Sequence, residues 1–253
     1  MNGTVEALRV VVGPHGLAEL DTENDVCVVV DVLRASTTIA YALAAGARGV
    51  IPVETVEEAT RLAATLDHET TLLCGERNSV RIEGFALGNS PREYTAEAVA
   101  DKTLVFSSTN GARALAAVAG ARECLTAAFP TLGAAAGRAA AASRVTIVCA
   151  GAEGGFSLED FFCAGMLVRA IESRTEGGIL LDDAARTARE IGGIYEDRLA
   201  EIVETCDHGR ELVALGFAED LALTCAVDRF PFVPILRDGC LVPAEVAAHP
   251  SAR

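Results

Sequence analysis

The sequence predicts an α/β fold, layered α/β/α, in which helices pack on a mostly parallel or mixed β-sheet. The first observation is that short β-branched apolar runs alternate with helix-forming runs along the 253 residues. The second is that 51% of the residues are apolar but only 5% are aromatic, so we expect a core of Ala, Val and Leu. Because no linker or low-complexity stretch interrupts this pattern, we expect one domain over residues 1–253.

The first predicted unit is a strand followed by a helix. VCVVVDV (26–32) begins with five consecutive apolar residues, most of them β-branched, which is typical of a strand covered on both faces. The helix-forming run TTIAYALAAGA follows it, and Gly46 near the end of this run predicts the C-cap. The chain then continues with a predicted strand, helix and strand at 49–53, 55–66 and 71–76.

A second unit at 103–124 repeats the order of strand, hydroxyl-rich loop and alanine-rich helix. A shift of 74 residues superposes the AGAR of 45–48 on the AGAR of 119–122. This similarity predicts either an internal duplication, with halves at about 1–100 and 101–253, or the ordinary convergence of βα units.

The rest of the chain predicts one more strand–helix unit and a mainly helical C-terminal part. The third unit, at 144–171, contains a strand, a glycine-rich loop and a helix. Capping boxes predict two helix starts, Thr55 with Glu58 and Ser157 with Asp160. Two further helices are predicted at 182–191 and 197–206, and two short helices with a terminal strand at 208–236.

Composition excludes several classes of partner. The net charge of −15 argues against a nucleic-acid backbone. No apolar run reaches the roughly 20 residues that span a bilayer, and no basic segment precedes an apolar one at the N-terminus. The eight cysteines form no CxxC pair or zinc spacing, so we expect free thiols in a reducing cytoplasm. The apolar late helices favour a homodimer.

Five polar clusters stand where predicted strands end or loops turn. Ligands of open α/β sheets bind beyond the carboxyl ends of the strands, so these clusters are expected to converge on one site. They occupy residues 31–37, 75–78, 88–92, 107–113 and 151–160.

Two carboxylates at strand ends are the first candidates for chemistry. Asp31 follows five apolar residues, where an ionised group is costly to bury unless Arg34 or Mg²⁺ pairs with it. The hydroxyls of Ser36, Thr37 and Thr38 favour a functional site over a structural ion pair. Glu76 repeats this logic beside Arg77 and Asn78, and a paired surface charge is its alternative interpretation.

Ser107 to Gly111 open a predicted helix, where free backbone N–H groups and hydroxyls can bind an anion. An ordinary N-cap needs only one of these residues, so four polar residues in succession favour a ligand. Glu159 and Asp160 begin another helix and project about 100° apart. One of them is expected to cap the helix, and the other to bind a metal or act as a general acid.

The common nucleophile and phosphate-loop patterns are missing from the sequence. There is no GxSxG, GxxxxGK[ST] or GxGxxG motif. Of the four histidines, only His208 stands in a suggestive context, beside Gly209 and Arg210, and a surface histidine is the favoured interpretation even there.

Taken together, six motifs resemble one family, the 2-phosphosulfolactate phosphatases of coenzyme M biosynthesis. They are DVLRASTT, CGERN, IEGFALGNSP, SSTNGARAL, CAG with SLEDFFCAG, and HGRELVALGF. The resemblance implies an Mg²⁺-dependent hydrolase that converts (2R)-2-phospho-3-sulfolactate to 3-sulfolactate and phosphate. The chain departs from the family pattern at Ala86, where an acid is expected, and at Ala112, where a Thr is expected.

The charge of the implied substrate and the residue types in the clusters together predict roles for individual residues. Mg²⁺ is expected on Asp31 and Glu76, with Asp160 or Glu159 completing its shell, and Asp31, Glu76 and Asp160 are the expected catalytic residues. A rival mechanism makes Asp31 a nucleophile that forms an aspartyl-phosphate. The expected contacts to the phosphorylated substrate are Arg34, Ser36, Thr37, Arg77, Asn78, Asn89, Ser90, Ser108, Thr109, Asn110, Gly111 and Arg113.

Two other functions remain open. Ala86 favours a degenerate relative that binds a small anionic metabolite without turnover, and a phosphatase for a different phosphorylated hydroxy acid is also compatible with the motifs. A nucleotide or sugar phosphatase is disfavoured, because no aromatic platform is expected near the motifs.

Overall fold

The computed structural model describes residues 4–13, 16, 21–152 and 154–246. Within these residues, eleven strands form one mixed sheet and ten α-helices accompany it, which confirms the α/β prediction. The strands are β1 (Ala7–Val12), β2 (Val26–Val30), β3 (Gly49–Val53), β4 (Thr71–Arg77), β5 (Val80–Arg81), β6 (Thr103–Ser107), β7 (Glu123–Ala127), β8 (Arg144–Cys149), β9 (Leu180–Leu181), β10 (Phe232–Arg237) and β11 (Cys240–Glu245). The helices are α1 (Ala35–Ala44), α2 (Val56–Ala63), α3 (Ala96–Val99), α4 (Gly111–Ala117), α5 (Leu132–Ala139), α6 (Leu158–Glu172), α7 (Asp183–Ile194), α8 (Leu199–Thr205), α9 (Asp207–Ala214) and α10 (Ala218–Thr224).

Strand β2 shows why a continuous apolar run is needed at this place. Side chains alternate across a strand, so a strand with both faces covered cannot carry polar residues on either face. Val26, Val28 and Val30 belong to a cluster with residues of α5, α6 and α7, whereas Cys27 and Val29 belong to a second cluster with residues of α1 and α4. All five residues of β2 are buried, and both faces of the sheet are covered as predicted.

The sheet consists of two parallel groups joined by an antiparallel hairpin. The strand order is β5-β4-β6-β3-β11-β10-β7-β2-β8-β1-β9. The strands β3, β4 and β6 are parallel to one another, and so are β1, β2, β7, β8 and β9. Between the groups, β10 and β11 are antiparallel to each other and to their outer neighbours, so the two parallel groups run in opposite directions.

This reversal has a consequence for any site at the strand ends. In a flat sheet, the carboxyl ends of β2 and β4 would lie at opposite edges, yet Asp31 after β2 and Glu76 in β4 line the same pocket. The strands between β4 and β2 are therefore not arranged as a flat sheet, and the twist that accumulates along the strand order helps to bring these ends together. The hairpin is paired with each parallel group through a single residue pair. These pairs are Ile235 of β10 with Leu125 of β7, and Leu241 of β11 with Val50 of β3.

The strands of the two predicted repeats pair with each other and not within their own repeat. The first repeat contains β2, α1 and β3, and the second contains β6, α4 and β7. Strand β2 pairs with β7 while β3 pairs with β6, so each repeat begins in one parallel group and ends in the other. The 74-residue shift maps β3 onto β7 but leaves β2 three residues from β6. The duplication and the single-domain organisation remain predictions.

The two predicted helix starts are confirmed, but each predicted capping box is only half formed. The Glu58 side chain accepts a hydrogen bond from the Glu54 N–H, and the Asp160 side chain accepts from the Val32 and Gly151 N–H groups rather than from the N-cap N–H. The hydroxyl of Thr55 accepts a hydrogen bond from the Glu58 N–H, and that of Ser157 accepts one from the Asp160 N–H. All eight cysteines are free. The strands β1, β5, β9 and β11 were not predicted. None of the helices in the described part of the chain is long and apolar enough to cross a membrane.

Candidate active site

All five predicted polar clusters reach one pocket of about 330 Å³. The pocket lies beyond the ends of β2, β4 and β6, and helix α9 closes one side of it. Its wall includes eight of the predicted site residues, Asp31, Arg34, Glu76, Asn78, Asn89, Ser108, Thr109 and Asn110. Ala152 and Phe156 contribute the fifth cluster. The predicted convergence is therefore confirmed.

The first residue after β2 and the first after β6 perform the same local task. Asp31 Oδ1 accepts a hydrogen bond from the N–H of Ala35, the first residue of α1, at 3.1 Å. Ser108 Oγ accepts one from the N–H of Ala112 in α4 at 3.2 Å. Each side chain thus satisfies a free N–H in the first turn of the helix that follows it. This task fixes both side chains at the mouth of the pocket.

Gly111 has a different role from the predicted anion cradle. A Cβ atom built on Gly111 would stand 2.6 Å from Asp31 Oδ2, which is closer than real Cβ atoms come to other atoms. Only glycine lets α4 begin this close to the carboxylate. Asp31 Oδ2 itself has no hydrogen-bond partner among the described residues, so it is available to a ligand.

Glu76 is held by two loops at once. Its Oε2 accepts a hydrogen bond from the Ser79 N–H at 2.9 Å, and its Oε1 accepts one each from the N–H and the hydroxyl of Thr109 at 3.2 Å. Glu76 is buried, so its interpretation as a paired surface charge is wrong. The hydroxyl of Thr109 is already engaged here, which leaves Asn110 as the more available polar side chain of that loop.

The pocket wall is strongly acidic. Burial raises the pKa of Asp31 to about 6, against the opposing effects of His208 and the Ala35 N–H, and the carboxylates of Glu76 and Glu159 add to the rise. The wall carries four carboxylates, one guanidinium and one imidazole, on Asp31, Glu76, Asp207, Glu211, Arg34 and His208.

Arg34 does not pair with Asp31, so one of the two partners predicted for Asp31, Arg34 or Mg²⁺, is wrong. Its Nη1 donates to Asp220 Oδ2 at 2.8 Å and its Nη2 donates to the Ser79 carbonyl at 2.7 Å. The guanidinium carbon lies 4.4 Å from the ring centroid of Phe217, in cation–π contact. Both Arg34 and Asp220 are about 1% exposed, so this is a buried ion pair.

The other two predicted arginines are not brought to the pocket wall. Arg77 donates to the carbonyls of Glu76 and Glu54 and to the Ser107 hydroxyl, so its guanidinium ties neighbouring strands together. Arg113 is exposed on α4. Of the three arginines that were expected to contact the substrate, only Arg34 therefore lies on the wall, and it is the only arginine there among those that the structure describes.

Several predicted hydroxyls also serve the protein rather than the pocket. Ser36 Oγ accepts a hydrogen bond from the Asp31 N–H, Thr37 Oγ1 donates to the Val32 carbonyl, and Ser90 Oγ donates to Asp220 Oδ1. These bonds fix the loops that carry the wall. Asn89 differs, because its buried Oδ1 has no hydrogen-bond partner among the described residues.

The two acids at the start of α6 have separate roles. Asp160 Oδ1 accepts a hydrogen bond from the Val32 N–H at 2.8 Å and its Oδ2 accepts one from the Gly151 N–H at 3.1 Å, so it joins the loops after β2 and β8. Burial and the carboxylates of Glu159 and Asp31 raise the pKa of Asp160. Neither acid lies on the wall.

The predicted metal shell, in which Asp160 or Glu159 joins Asp31 and Glu76, is not assembled in the structure. The described residues contain no group of three or more His, Cys, Asp or Glu side chains placed to hold a metal ion. Asp160 is engaged by two backbone N–H groups, and Glu159 faces His208. Asp31 and Glu76 remain the predicted metal-binding carboxylates that face the pocket.

The favoured sequence interpretation of His208 is wrong. Its side chain is only 20% exposed, it lies on the pocket wall, and its Nδ1 is 3.6 Å from Glu159 Oε1. Burial acts to lower the pKa of His208, but the carboxylates of Glu159, Asp31 and Glu211 outweigh it and raise the pKa. The available signal was its position at the start of the HGRELVALGF motif.

An aromatic side chain that the sequence reading overlooked also lines the pocket. Phe156, in the glycine-rich loop before α6, is 55% exposed and lies on the wall. It is the one aromatic residue on the described pocket wall, so the expected absence of an aromatic platform stays a prediction. Asp220 was the second omission, because nothing in its local sequence indicates a partner in the first βα loop.

Comparison with known proteins agrees with the motifs in this pocket. A family model described as 2-phosphosulpholactate phosphatase matches residues 13–239. The chain belongs to this family. A protein of Caldanaerobacter subterraneus subsp. tengcongensis named "Probable 2-phosphosulfolactate phosphatase" is 41% identical over 226 residues, which cover 89% of this chain and 93% of that protein.

Two further relatives carry the same name. The protein of Gloeobacter violaceus is 40% identical over 212 residues, covering 83% of this chain and 87% of the relative. The protein of Thermotoga petrophila is 39% identical over 218 residues, covering 86% and 92%. The resemblance that the motifs indicated is thus confirmed along most of the chain.

The two positions at which the motifs led us to expect other residues, Ala86 and Ala112, lie off the pocket wall. Ala86 is exposed, and its N–H donates to the Leu73 carbonyl, so the backbone rather than the side chain is engaged there. Ala112 is buried in the first turn of α4, behind Ser108. The alanine at position 86 therefore gives no structural reason to regard this protein as an inactive member of the family.

Proposed function

We propose that this protein hydrolyses a small phosphorylated hydroxy acid, with 2-phospho-3-sulfolactate as the foremost substrate, and releases phosphate. The observation that carries the proposal is the convergence of the family's motifs, from distant parts of the chain, on one acidic pocket. The names of relatives at 39–41% identity support the choice of substrate.

The charge of the pocket supports a cation as part of the site. The proposed substrate carries phosphate, sulfonate and carboxylate groups, and the wall already carries four carboxylates. The donors present are hard oxygens, and Mg²⁺ is bound in proteins by one or two carboxylates with water and phosphate oxygens. Asp31 and Glu76 would hold Mg²⁺, and the buried, unpartnered Oδ1 of Asn89 fits the same donor class. When bound, the ion would neutralise and polarise the phosphoryl oxygens.

Asp31 serves either of two mechanisms in this pocket. Its Oδ2 is unpartnered and unobstructed because residue 111 is glycine, so it can contact a cation or attack phosphorus. Direct attack by water and an aspartyl-phosphate intermediate both remain compatible with this geometry. A beryllium adduct on Asp31 after treatment with fluoroberyllate would select the second mechanism.

The leaving group of the proposed reaction is a secondary alkoxide, which needs a proton as the P–O bond breaks. His208 lies on the pocket wall, and Glu159 behind it can orient the ring through Nδ1. The other ring nitrogen, Nε2, would then be free to donate a proton to a group in the pocket. We assign to His208 the protonation of the leaving oxygen and to Glu159 the orientation of His208.

Phosphate release from a panel of phosphorylated hydroxy acids, with Mg²⁺ and with EDTA, tests the proposed function. We expect turnover of 2-phospho-3-sulfolactate with Mg²⁺, and a loss of at least about 10²-fold with EDTA that Mg²⁺ restores, because the acidic wall cannot neutralise the substrate alone. The matched variant pair is Glu76→Gln on the wall and Glu97→Gln on the exposed face of α3. If no substrate is hydrolysed but sulfolactate still stabilises the protein thermally, the binding-only alternative is correct.

Replacing Ala86 with Asp tests whether position 86 matters to the pocket. Because this side chain is exposed and off the wall, we expect kcat/KM for 2-phospho-3-sulfolactate to change by no more than about twofold, as for typical surface substitutions. A gain above tenfold would show that an acid at this position reaches the site after all.

The single-domain organisation, the cytoplasmic location and a homodimer are kept as proposals that the sequence alone supports.

A further inference from the structure

The buried ion pair of Arg34 and Asp220 connects the pocket to the C-terminal helices. Asp220 lies in α10, 186 residues beyond Arg34, and the two side chains meet at 2.8 Å with about 1% exposure each. A buried pair is expensive to desolvate, so its geometry must be supported by further hydrogen bonds. The Ser79 carbonyl and the ring of Phe217 give that support to Arg34.

Asp220 also holds a second segment of the site. Its Oδ1 accepts a hydrogen bond from Ser90 Oγ at 2.6 Å. Ser90 follows Asn89, whose carbonyl accepts a hydrogen bond from Thr38 Oγ1 at 2.8 Å. One buried carboxylate therefore fixes the guanidinium of the first polar cluster and the loop of the third, and both contribute to the pocket wall.

Without Asp220, the acidic wall itself would attract Arg34. Asp31 and Glu76 lie in the same pocket, and Arg34 comes only three residues after Asp31. A guanidinium free to move would pair with one of these carboxylates and compete with a cation there. Asp220 and Phe217 keep it away from them, and the two bonds to Asp220 and Ser79 use only two of the five N–H donors that an arginine carries.

The chemistry of the proposed substrate determines what those remaining donors bind. Phosphate and carboxylate oxygens are good ligands for Mg²⁺. A sulfonate is the conjugate base of a strong acid, so it binds metals weakly, stays charged at every relevant pH, and is best recognised by N–H donors in a planar fork. Arg34 is the arginine that the described pocket wall offers for this group.

We propose that Asp220 is a positioning residue that fixes Arg34 as the sulfonate subsite, and that this pair sets the preference for a sulfonated substrate. The inference rests on the proposed function and deepens it. Asp220, which lies outside the pocket wall, would thus control the selection between substrates that differ only in the sulfonate at C3.

The test compares 2-phospho-3-sulfolactate with 2-phospholactate, which lacks only the sulfonate. We measure the ratio of their kcat/KM values for the wild type, Arg34→Lys, Asp220→Asn and Ser90→Ala, with Glu97→Gln as the control. Arg34→Lys and Asp220→Asn are expected to lower this ratio by roughly 10- to 100-fold, the value of one charge-assisted hydrogen bond. The loss should be mainly in KM for the sulfonated substrate. Any loss for 2-phospholactate should be smaller, even in Asp220→Asn, where the freed Arg34 can also compete with the cation at Asp31 and Glu76.

Equal losses for both substrates in Asp220→Asn would show a purely structural role and overturn the inference. Should Asp220→Asn fail to fold, Ser90→Ala and Arg34→Lys decide, because an unchanged ratio in both also overturns it. Thermal stabilisation by 3-sulfolactate, compared with lactate, separates this inference from the proposed function. A wild type that turns over neither substrate but is stabilised by 3-sulfolactate in an Arg34-dependent manner refutes the phosphatase proposal and retains the sulfonate subsite.

Discussion

Asp31→Asn is expected to lower kcat for phosphate release by at least about 10²-fold, since loss of a residue that merely supports a metal ligand already costs 10- to 100-fold. The substitution keeps the shape of the side chain and an oxygen for the Ala35 N–H, so the first turn of α1 stays capped. It removes the charge that faces the pocket beside Gly111. Steady-state phosphate release across a range of Mg²⁺ concentrations measures both the rate and the apparent metal affinity.

The matched control for this substitution is Asp238→Asn, because Asp238 is exposed and its left-handed backbone (φ 50°) suits asparagine. We expect it to retain wild-type kcat and Mg²⁺ dependence. If Asp31→Asn kept more than a tenth of wild-type kcat at saturating Mg²⁺, Asp31 could be neither the metal ligand nor the nucleophile of this reaction.

His208→Gln is expected to lower kcat for an alkyl phosphate by about 10²- to 10⁴-fold, the usual contribution of a general acid. The reason is its place on the wall, with Glu159 behind it and no other imidazole among the wall residues. The informative measurement compares 2-phospholactate with 2-phospho-3,3,3-trifluorolactate. Fluorination makes the departing alcohol more acidic, so the variant should lose far less activity on the fluorinated substrate.

Glu159→Gln is the companion variant, because it keeps the side chain behind His208 but removes its charge. We expect an intermediate loss with the same dependence on the leaving group. An equal loss on both substrates in His208→Gln would assign His208 to substrate binding and would contradict its role as proton donor. Unchanged activity would remove it from the mechanism.

The sequence was a good guide to the elements that depend on near neighbours. The run VCVVVDV predicts a strand buried on both faces, and β2 sends alternate residues into two clusters. The hydroxyls of Thr55 and Ser157 cap helices where their spacing predicts it. The edge strands β5 and β9 were missed because each has only two residues, too few for an alternating pattern to be visible.

The site was predicted as a set of clusters but not as a set of contacts. The five polar clusters were recognised because each follows an apolar strand or interrupts the helical pattern, and all reach the pocket. Arg77 and Arg113 were grouped with Arg34 because all three are arginines in the polar clusters, and the sequence does not show which of them faces the pocket. The fold gives Arg77 backbone partners and leaves Arg113 exposed, so sequence context could not separate the three.

By itself, the sequence determined that Asp31 ends a buried strand, that α1 begins directly after it, and that family motifs recur in the family's order. These features follow from local backbone preference and from the cost of placing a charge beside apolar residues. Only the tertiary structure decided that Arg34 binds Asp220 rather than Asp31, and that His208 faces the pocket. Those contacts join residues far apart in the sequence, and they depend on how the sheet brings the ends of its two oppositely directed parallel groups to one pocket.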